Sequence, residues 1–490
     1  MSINIKSPEV EIREIRLGSI TGFGGTAKGL CNRSKKGGLC DRNRSFSQCL
    51  GCSSGNALCQ VVMIQDAVVI NHGPLGCSAD FSDFNFTNRV GQRKRALKLQ
   101  NAKLISTNLE EKDMIYGGGA KLEAAIAEAY ERFKPKAIFV TTSCASGIIG
   151  DDVSGITDLA QEELGIPVVL VACEGFKSKI WTTGFDAAYH AILRKIVKPS
   201  VERKKDVINV INFWGSDVFT ELFGKIGLKP NYIVPFTTVE QLERISEAAA
   251  TVQICPTLGT YLAAGLEQEY GIPEVKAPTP YGLDGTDVWL RELGKVTDRV
   301  KEVEQLIQEE RERIAPELEE LRKKLRGKKV YVTAGAAHGH SLLALLQELG
   351  LTVVGAAIFH HDPCYDNQDE KSDSLRHVVE TYGDINNFNV CNKQAFELVN
   401  ILNRLKPDIF VARHGGMSVW GAKLGIPTFL MGDEHFGLGY QGLLNYGYKI
   451  LDVLATKEFA ENIASHSELP YTDWWLEQNP YTFLGGEADE

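Results

Sequence analysis

Residues 52–77, Cys52-Ser-Ser-Gly-Asn-Ala-Leu-Cys-Gln-Val-Val-Met-Ile-Gln-Asp-Ala-Val-Val-Ile-Asn-His-Gly-Pro-Leu-Gly-Cys77, decide how the chain is read. Val62–Ile70 is an apolar, β-branched run of the kind that forms a buried strand or a tight strand–helix unit. The Gly-Pro turn after His72 then places a thiol, Cys77, at the mouth of that element. A second thiol arrives the same way: Ala137–Ser143 reads as a strand, and Cys144 opens a small-residue loop that ends in Asp151-Asp152. Open α/β sheets bind ligands at the carboxyl ends of their strands, where these thiols fall. With Cys52, three thiols from separate segments suit an iron–sulfur cluster better than a structural zinc, which usually takes close pairs. The bland alternative, inert buried cysteines, fits any one of them alone better than all three together.

Working outward, the first 60 residues are rich in Gly, Ser and Arg. They hold Cys31, Cys40, Cys49, Cys52 and Cys59 and read as an extended arm. Cys49-Leu-Gly-Cys52 could bind zinc with Cys31 and Cys40, but its flanks lack a second close pair. Residues 61–203 alternate strand and helix patterns, with strands at Ala67–Ile70, Ala137–Thr141 and Val168–Cys173. The Gly117–Gly119 run lacks the spacing of a phosphate loop and reads as a helix cap. Residues 204–327 form a second such unit, ending in a charged helix whose Val303, Ile307, Ile314, Leu318, Leu321 and Leu325 share one face, with a break expected at Pro316. Residues 328–460 repeat the plan from Lys329, and 461–490 read as a C-terminal segment packing back. The expected fold is α/β, with three Rossmann-like doubly wound domains of parallel sheets.

Composition excludes several classes. With 53 basic and 63 acidic residues the net charge is −10, which disfavours nucleic acid as a partner. No secretory leader is visible and no run approaches the roughly 20 apolar residues of a membrane span, so the chain reads as soluble and cytoplasmic. Eleven cysteines in a reducing compartment point to metal or redox chemistry for some of them, not to disulfides.

The motifs together resemble the α-type subunit of the nitrogenase-like reductases, the family of the molybdenum–iron protein. They are His72-Gly-Pro-Leu-Gly-Cys77, Glu111-Lys-Asp-Met-Ile-Tyr-Gly-Gly118, Cys144 through Asp152, Cys173-Glu-Gly-Phe176, Cys255, Gly425-Ile-Pro427 and Gly439-Tyr-Gln-Gly442. The resemblance implies that Cys52, Cys77 and Cys144 hold half of an 8Fe-7S P-cluster-type centre. A homologous β-type subunit would supply the other half, in an α2β2 heterotetramer. It implies a second, large nitrogenase-type iron–sulfur cluster of open heterometal, anchored by Cys255. An ATP-hydrolysing iron protein with a 4Fe-4S cluster would deliver electrons.

Departures from the family pattern narrow the activity. The glutamine and histidine that line the substrate face are matched here by Trp181 and Phe185. The Gly-Gly-Leu-Arg-Pro-Arg loop becomes Gly335-Ala-Ala-His338-Gly-His340, so two fixed cations become groups that titrate near neutrality if little perturbed and could bring protons. The lysine that holds an organic acid matches Gly416. The histidine that caps the cluster falls at Gly432, and His435 is a candidate replacement. His360-His361-Asp362-Pro363-Cys364 reads as a solvated loop sooner than a metal site. Cys173 and Cys391 read as core thiols, and His190 as a satisfied core histidine. In character the chain is similar to the methylthio-alkane reductases. Dinitrogen reductase and an α-type cofactor-maturation scaffold are the alternatives.

Overall fold

Strand β2 (Ala67–His72) is buried along its whole length, and its side chains divide between two cores. Val68 and Ile70 pack with Ile138, Val140, Val168 and the Gly119–Phe133 helix on one face. Val69 packs with Phe139, Val169 and the Ser53–Val61 and Thr183–Lys195 helices on the other. Alternate residues feeding two apolar layers is what a parallel sheet covered by helices on both faces requires. That is why the run reads as continuous apolar residues.

The computed structural model describes residues 3–37, 39, 52–79, 81–363, 372–391, 395–413, 415–432 and 437–481. Its other strands are β1 (Gly22–Gly25), β3 (Leu104–Ser106), β4 (Ala137–Thr142), β5 (Val168–Val171), β6 (Lys204–Ile211), β7 (Lys229–Ile233), β8 (Ala248–Gln253), β9 (Lys329–Ala334), β10 (Thr352–Ile358), β11 (Phe388–Cys391), β12 (Ile409–Arg413) and β13 (Thr428–Met431). They form three sheets, ordered β3-β2-β4-β5, β7-β6-β8 and β1-β11-β10-β9-β12-β13. Every pairing is parallel except that of β1 with β11 at the edge of the third. The protein is thus mixed α/β with several parallel sheets. In each sheet the order reverses at one point: between β2 and β4, between β6 and β8, and between β9 and β12. Those switch points are where such sheets leave a crevice at their carboxyl ends.

The chain divides into two compact units, the described parts of 1–15 with 51–275 and of 16–50 with 276–490. The first holds two sheets and the second holds the third. Segment 22–25 of the N-terminal region joins the third sheet as β1.

The charged helix Val300–Leu325 runs through Pro316 without ending, contrary to the break expected there. Pro316 faces solvent, so the Glu312 carbonyl it leaves without an N–H partner can be hydrated, while Ile314 and Leu318 on either side stay buried. Packing of the apolar face outweighs one missing bond. Among the described residues no helix is long and apolar enough to cross a membrane.

His190 is the satisfied core histidine the sequence suggests. Its Nε2 donates to the Ser7 carbonyl at 2.8 Å and its Nδ1 accepts from the Tyr261 hydroxyl at 2.8 Å. Burial drives its pKa down to about 4. Folded His190 therefore refuses a proton that the unfolded chain takes up below its ordinary value, so stability is full above that value and lost as pH falls toward 4. Between pH 7 and pH 5 the loss from this residue is roughly 1–2 kcal/mol. Urea unfolding of wild type and His190→Gln at both pH values checks it: the gap between them should shrink at pH 5, and a pH-independent gap refutes the account.

Candidate functional site

Three thiols gather at the switch point between β2 and β4. Cys52 is the N-cap of the Ser53–Val61 helix, and its sulfur accepts from the Gly55 N–H at 3.3 Å. Cys77 sits in the short turn Leu75–Ser78 that follows β2. Cys144 is the first residue of the Cys144–Ile149 helix, which Ser143 and Ser146 hold with a reciprocal capping box. Two of the thiols meet at Gly175: a Cβ there would lie 3.3 Å from both the Cys52 and the Cys144 sulfur and 3.0 Å from the Cys52 Cβ. Only the absence of a side chain at Gly175 leaves this space open. Burial, and after it the charges of Cys52 and Cys144, push the Cys77 thiol up, so these sulfurs sense one another as like charges.

Two contacts hold the segments in register. The Gly73 backbone passes so close to Ser143 that a Cβ would lie 2.5 Å from its Oγ. His72, fully buried, bonds through Nε2 to Asp151 Oδ2 at 2.9 Å and through Nδ1 to Thr107 Oγ1 at 3.1 Å. Asp151 also accepts from the Gly118 N–H, so the glycine run acts as the helix cap expected of it and its N–H is committed to a carboxylate. The Gly175 space and the His72–Asp151 pair were not singled out from the sequence. The signal lay in the motifs themselves, which place a glycine after Cys173-Glu174 and a histidine and an aspartate beside the two thiol segments.

Among the described residues no group of three His, Cys, Asp or Glu is placed to hold a single metal ion. Three thiols from separate segments would suit a multi-iron cluster sooner than a single ion. Cys52 and Cys77 are exposed in this chain. Around them lie exposed apolar side chains: Leu75, Ile115, Tyr116, Ile148 and Phe176, Tyr116 being 87% exposed. All five sit on thiol-bearing segments, beside Gly175, or on the Glu111–Tyr116 helix that packs against the Cys144–Ile149 helix. Cys173 is buried and inert, its thiol pushed up to about 12 by burial, and Cys391 is buried in β11.

Cys255 lies two residues past β8, at the switch point of the second sheet. It is 4% exposed and is the N-cap of the Pro256–Tyr270 helix. Trp181 and Phe185 lie where the chain enters the Thr183–Lys195 helix, and their rings meet edge to face at 5.8 Å. This helix packs against the Pro256–Tyr270 helix that Cys255 caps.

In the second unit His338 and His340 lie inside the first turns of the Ala336–Glu348 helix, not on a strand-end loop. The small residues Gly335-Ala-Ala let the helix start directly after β9. Both imidazoles are buried. His338 Nδ1 meets the Tyr281 hydroxyl at 3.1 Å, and His340 Nδ1 meets Ser374 Oγ at 2.8 Å. Burial lowers His338 well below its usual range and, with His361 and His360 nearby, takes His340 to about 3. Titration near neutrality is therefore corrected: both rings stay neutral at pH 7. His360, His361 and Asp362 are likewise buried, with His360 Nδ1 3.1 Å from Asp362 Oδ1, so the expected solvated loop is a packed one. Gly416 is in the Gly415–Lys423 helix with open space where a Cβ would project. His435 lies outside the described residues, as do Cys40, Cys49 and Cys364.

Comparison with known proteins agrees with this architecture. Residues 52–455 match the family described as nitrogenase component 1 type oxidoreductase. A nitrogenase iron-molybdenum cofactor biosynthesis protein NifE of Methanococcus maripaludis is 31% identical over 428 residues, 83% of this chain and 84% of that protein. A nitrogenase molybdenum-iron protein alpha chain of Clostridium pasteurianum is 32% identical over 342 residues, 67% of this chain and 62% of that one. The solved structure titled "Nitrogenase Cp1 at pH 6.5" superposes with a TM-score of 0.71 at 25% identity, covering 88% of this chain and 92% of its own.

Proposed function

Since the chain belongs to the nitrogenase component 1 type oxidoreductases, we propose that it is the catalytic α-type subunit of a reductase that cleaves the C–S bond of small methylthio-alkanes. The reaction consumes two electrons and two protons; one C–S bond breaks, and a C–H and an S–H bond form, giving a hydrocarbon and methanethiol. Cys52, Cys77 and Cys144 hold their half of a P-cluster-type centre, and Cys255 anchors a large iron–sulfur cluster. Bound, these groups store and pass low-potential electrons. A homologous β-type chain supplies the other ligands at Cys52, Cys77 and Cys144, where Leu75, Ile115, Tyr116, Ile148 and Phe176 offer apolar surface for it. An ATP-hydrolysing iron protein is the electron donor.

The observation that carries the substrate class is the Trp181–Phe185 pair. Phe185 is packed in the core and the half-buried Trp181 lies edge to face on it, so the pair offers an apolar surface with no acceptor for a polar ligand. An unpartnered polar group against such a wall costs about 1–3 kcal/mol. A methyl and a thioether sulfur lose little there, and sulfur gains favourable contact with the ring edge. His338 and His340, held neutral by burial, serve as fixed hydrogen-bonding groups and not as proton stores.

The similarity to NifE supports a second reading, a scaffold that carries a cluster in transit. Supplying the purified complex with iron protein, ATP and reductant, and assaying methanethiol and ammonia together, separates the readings. Methanethiol with negligible ammonia is expected. Ammonia alone would refute the substrate, and no product, with cluster release to an acceptor protein, would favour the scaffold.

A further inference from the structure

The segment that leads into the aromatic wall is braced from outside as well as from within: Ser178 Oγ lies 2.8 Å from Thr183 Oγ1 and accepts from the Ile180 N–H at 3.1 Å. Between the short turn Gly175–Lys177 and the Thr183–Lys195 helix, residues 178–182 have no strand or helix partners of their own. The N-terminal helix Arg13–Arg16 supplies the outside brace. The Glu14 carboxylate accepts from the Ser178 hydroxyl at 2.8 Å, the Lys179 N–H at 2.6 Å and the Ile180 N–H at 3.4 Å. Trp181 follows immediately. Arg13, fully buried, donates through Nε and Nη2 to both Asp186 carboxylate oxygens at 2.7 Å, and Asp186 adjoins Phe185. The same Nη2 donates to the carbonyl of Thr257, two residues past Cys255. The Arg13 N–H reaches Thr183 Oγ1 as well. Upstream, Lys177 pairs with Glu9 at 3.0 Å and the Arg194 Nε donates to the Ile5 carbonyl, so residues 5–14 run as a strap along this face.

A charged carboxylate taking three donors from consecutive positions fixes a turn better than neutral bonds would, and a bidentate guanidinium fixes orientation as well as distance. One pair of adjacent side chains thus braces the approach to Trp181 and the start of the helix that carries Phe185, and ties both to the helix that Cys255 caps. We propose that Arg13 and Glu14 are positioning residues that set the Trp181–Phe185 wall relative to Cys255, making the N-terminal strap a determinant of which small substrate is admitted. This rests on the reading of the wall as the substrate face.

The test uses the assembled complex with Glu14→Ala, which spares the buried Arg13–Asp186 pair, and Glu14→Gln as the conservative variant. Ethyl methyl sulfide is the probe substrate. Glu14→Ala should raise its KM about three- to tenfold with kcat within about twofold, and should have no further effect in a Trp181→Ala background, because coupled residues are not additive. Glu14→Gln should recover at least half of the loss, a result that general loosening of the fold would not give. A readout independent of the substrate is acrylamide quenching of the Trp181 fluorescence, obtained by difference against Trp181→Phe. It should rise in Glu14→Ala while the iron content stays at the wild-type level. Unchanged quenching overturns the strap whatever the products are. Raised quenching with unaltered KM overturns its link to substrate choice. Raised quenching in a complex that yields no methanethiol leaves the strap standing and removes the substrate reading instead.

Discussion

Replacing Cys77 with alanine should strip the iron shared at the β2–β4 switch point and weaken the heteromer at the same time. Cys77 is exposed on its turn, yet its sulfur, partly shielded from water and close to Cys52 and Cys144, is pushed up. A thiol pushed up in this way keeps its proton until a metal ion displaces it, so ligand binding and local order are one equilibrium. Structural metal sites contribute on the order of 10 kcal/mol, far more than a side-chain truncation in a turn. Removing one of three ligands should therefore be felt as lost metal first and lost assembly second. Cys173→Ala is the control: it lies within the same cysteine-rich region but is buried and held protonated, and it should keep its iron. Iron analysis and sedimentation of the co-expressed complex read both effects. Full iron retention in Cys77→Ala, or a stable metal-loaded form of this chain alone, would sink the assignment.

Much of this was legible from residue order because the signals are local. A β-branched run between turn residues forms a buried parallel strand wherever it falls, so β2, β4, β6, β9 and β12 are readable, and thiols just beyond them must lie at strand ends. The apolar face of Val300–Leu325 is equally local. What could not be read depends on partners distant in sequence. Pro316 stays helical because the faces around it pack. His338 and His340 read as titratable because their type suggests it, yet burial in a helix behind β9 keeps them neutral. His360 to Asp362 read as a surface loop because polar residues usually are, and they are instead paired inside, with Ser34 Oγ 2.8 Å from His361 Nε2. The N-terminal residues lack apolar periodicity and read as an extended arm carrying the first cluster cysteine, since nothing in Arg13-Glu14 reveals that their partners lie some 170 positions away.

Cys255→Ala carries the other large expected effect, and it differs in kind. The residue ends the run from β8 and caps the Pro256–Tyr270 helix, a position usually taken by an oxygen side chain that accepts a helix N–H. Its sulfur makes no such cap bond. Helix closure therefore does not explain a cysteine here, and losing the sulfur from a 4% exposed position should cost the fold only on the order of 1 kcal/mol. The chemistry should lose far more. A cluster anchored by one thiolate at this switch point has no substitute donor in an alanine, so turnover should fall to background. Cys52, Cys77 and Cys144 belong to a different sheet, and nothing in their capping, their turn or the Gly175 space depends on Cys255. The expected result is a complex that assembles, keeps the spectroscopic signal and iron of the shared cluster, and lacks those of the large one. Loss of both signals together would mean that the two switch points do not hold two separate sites.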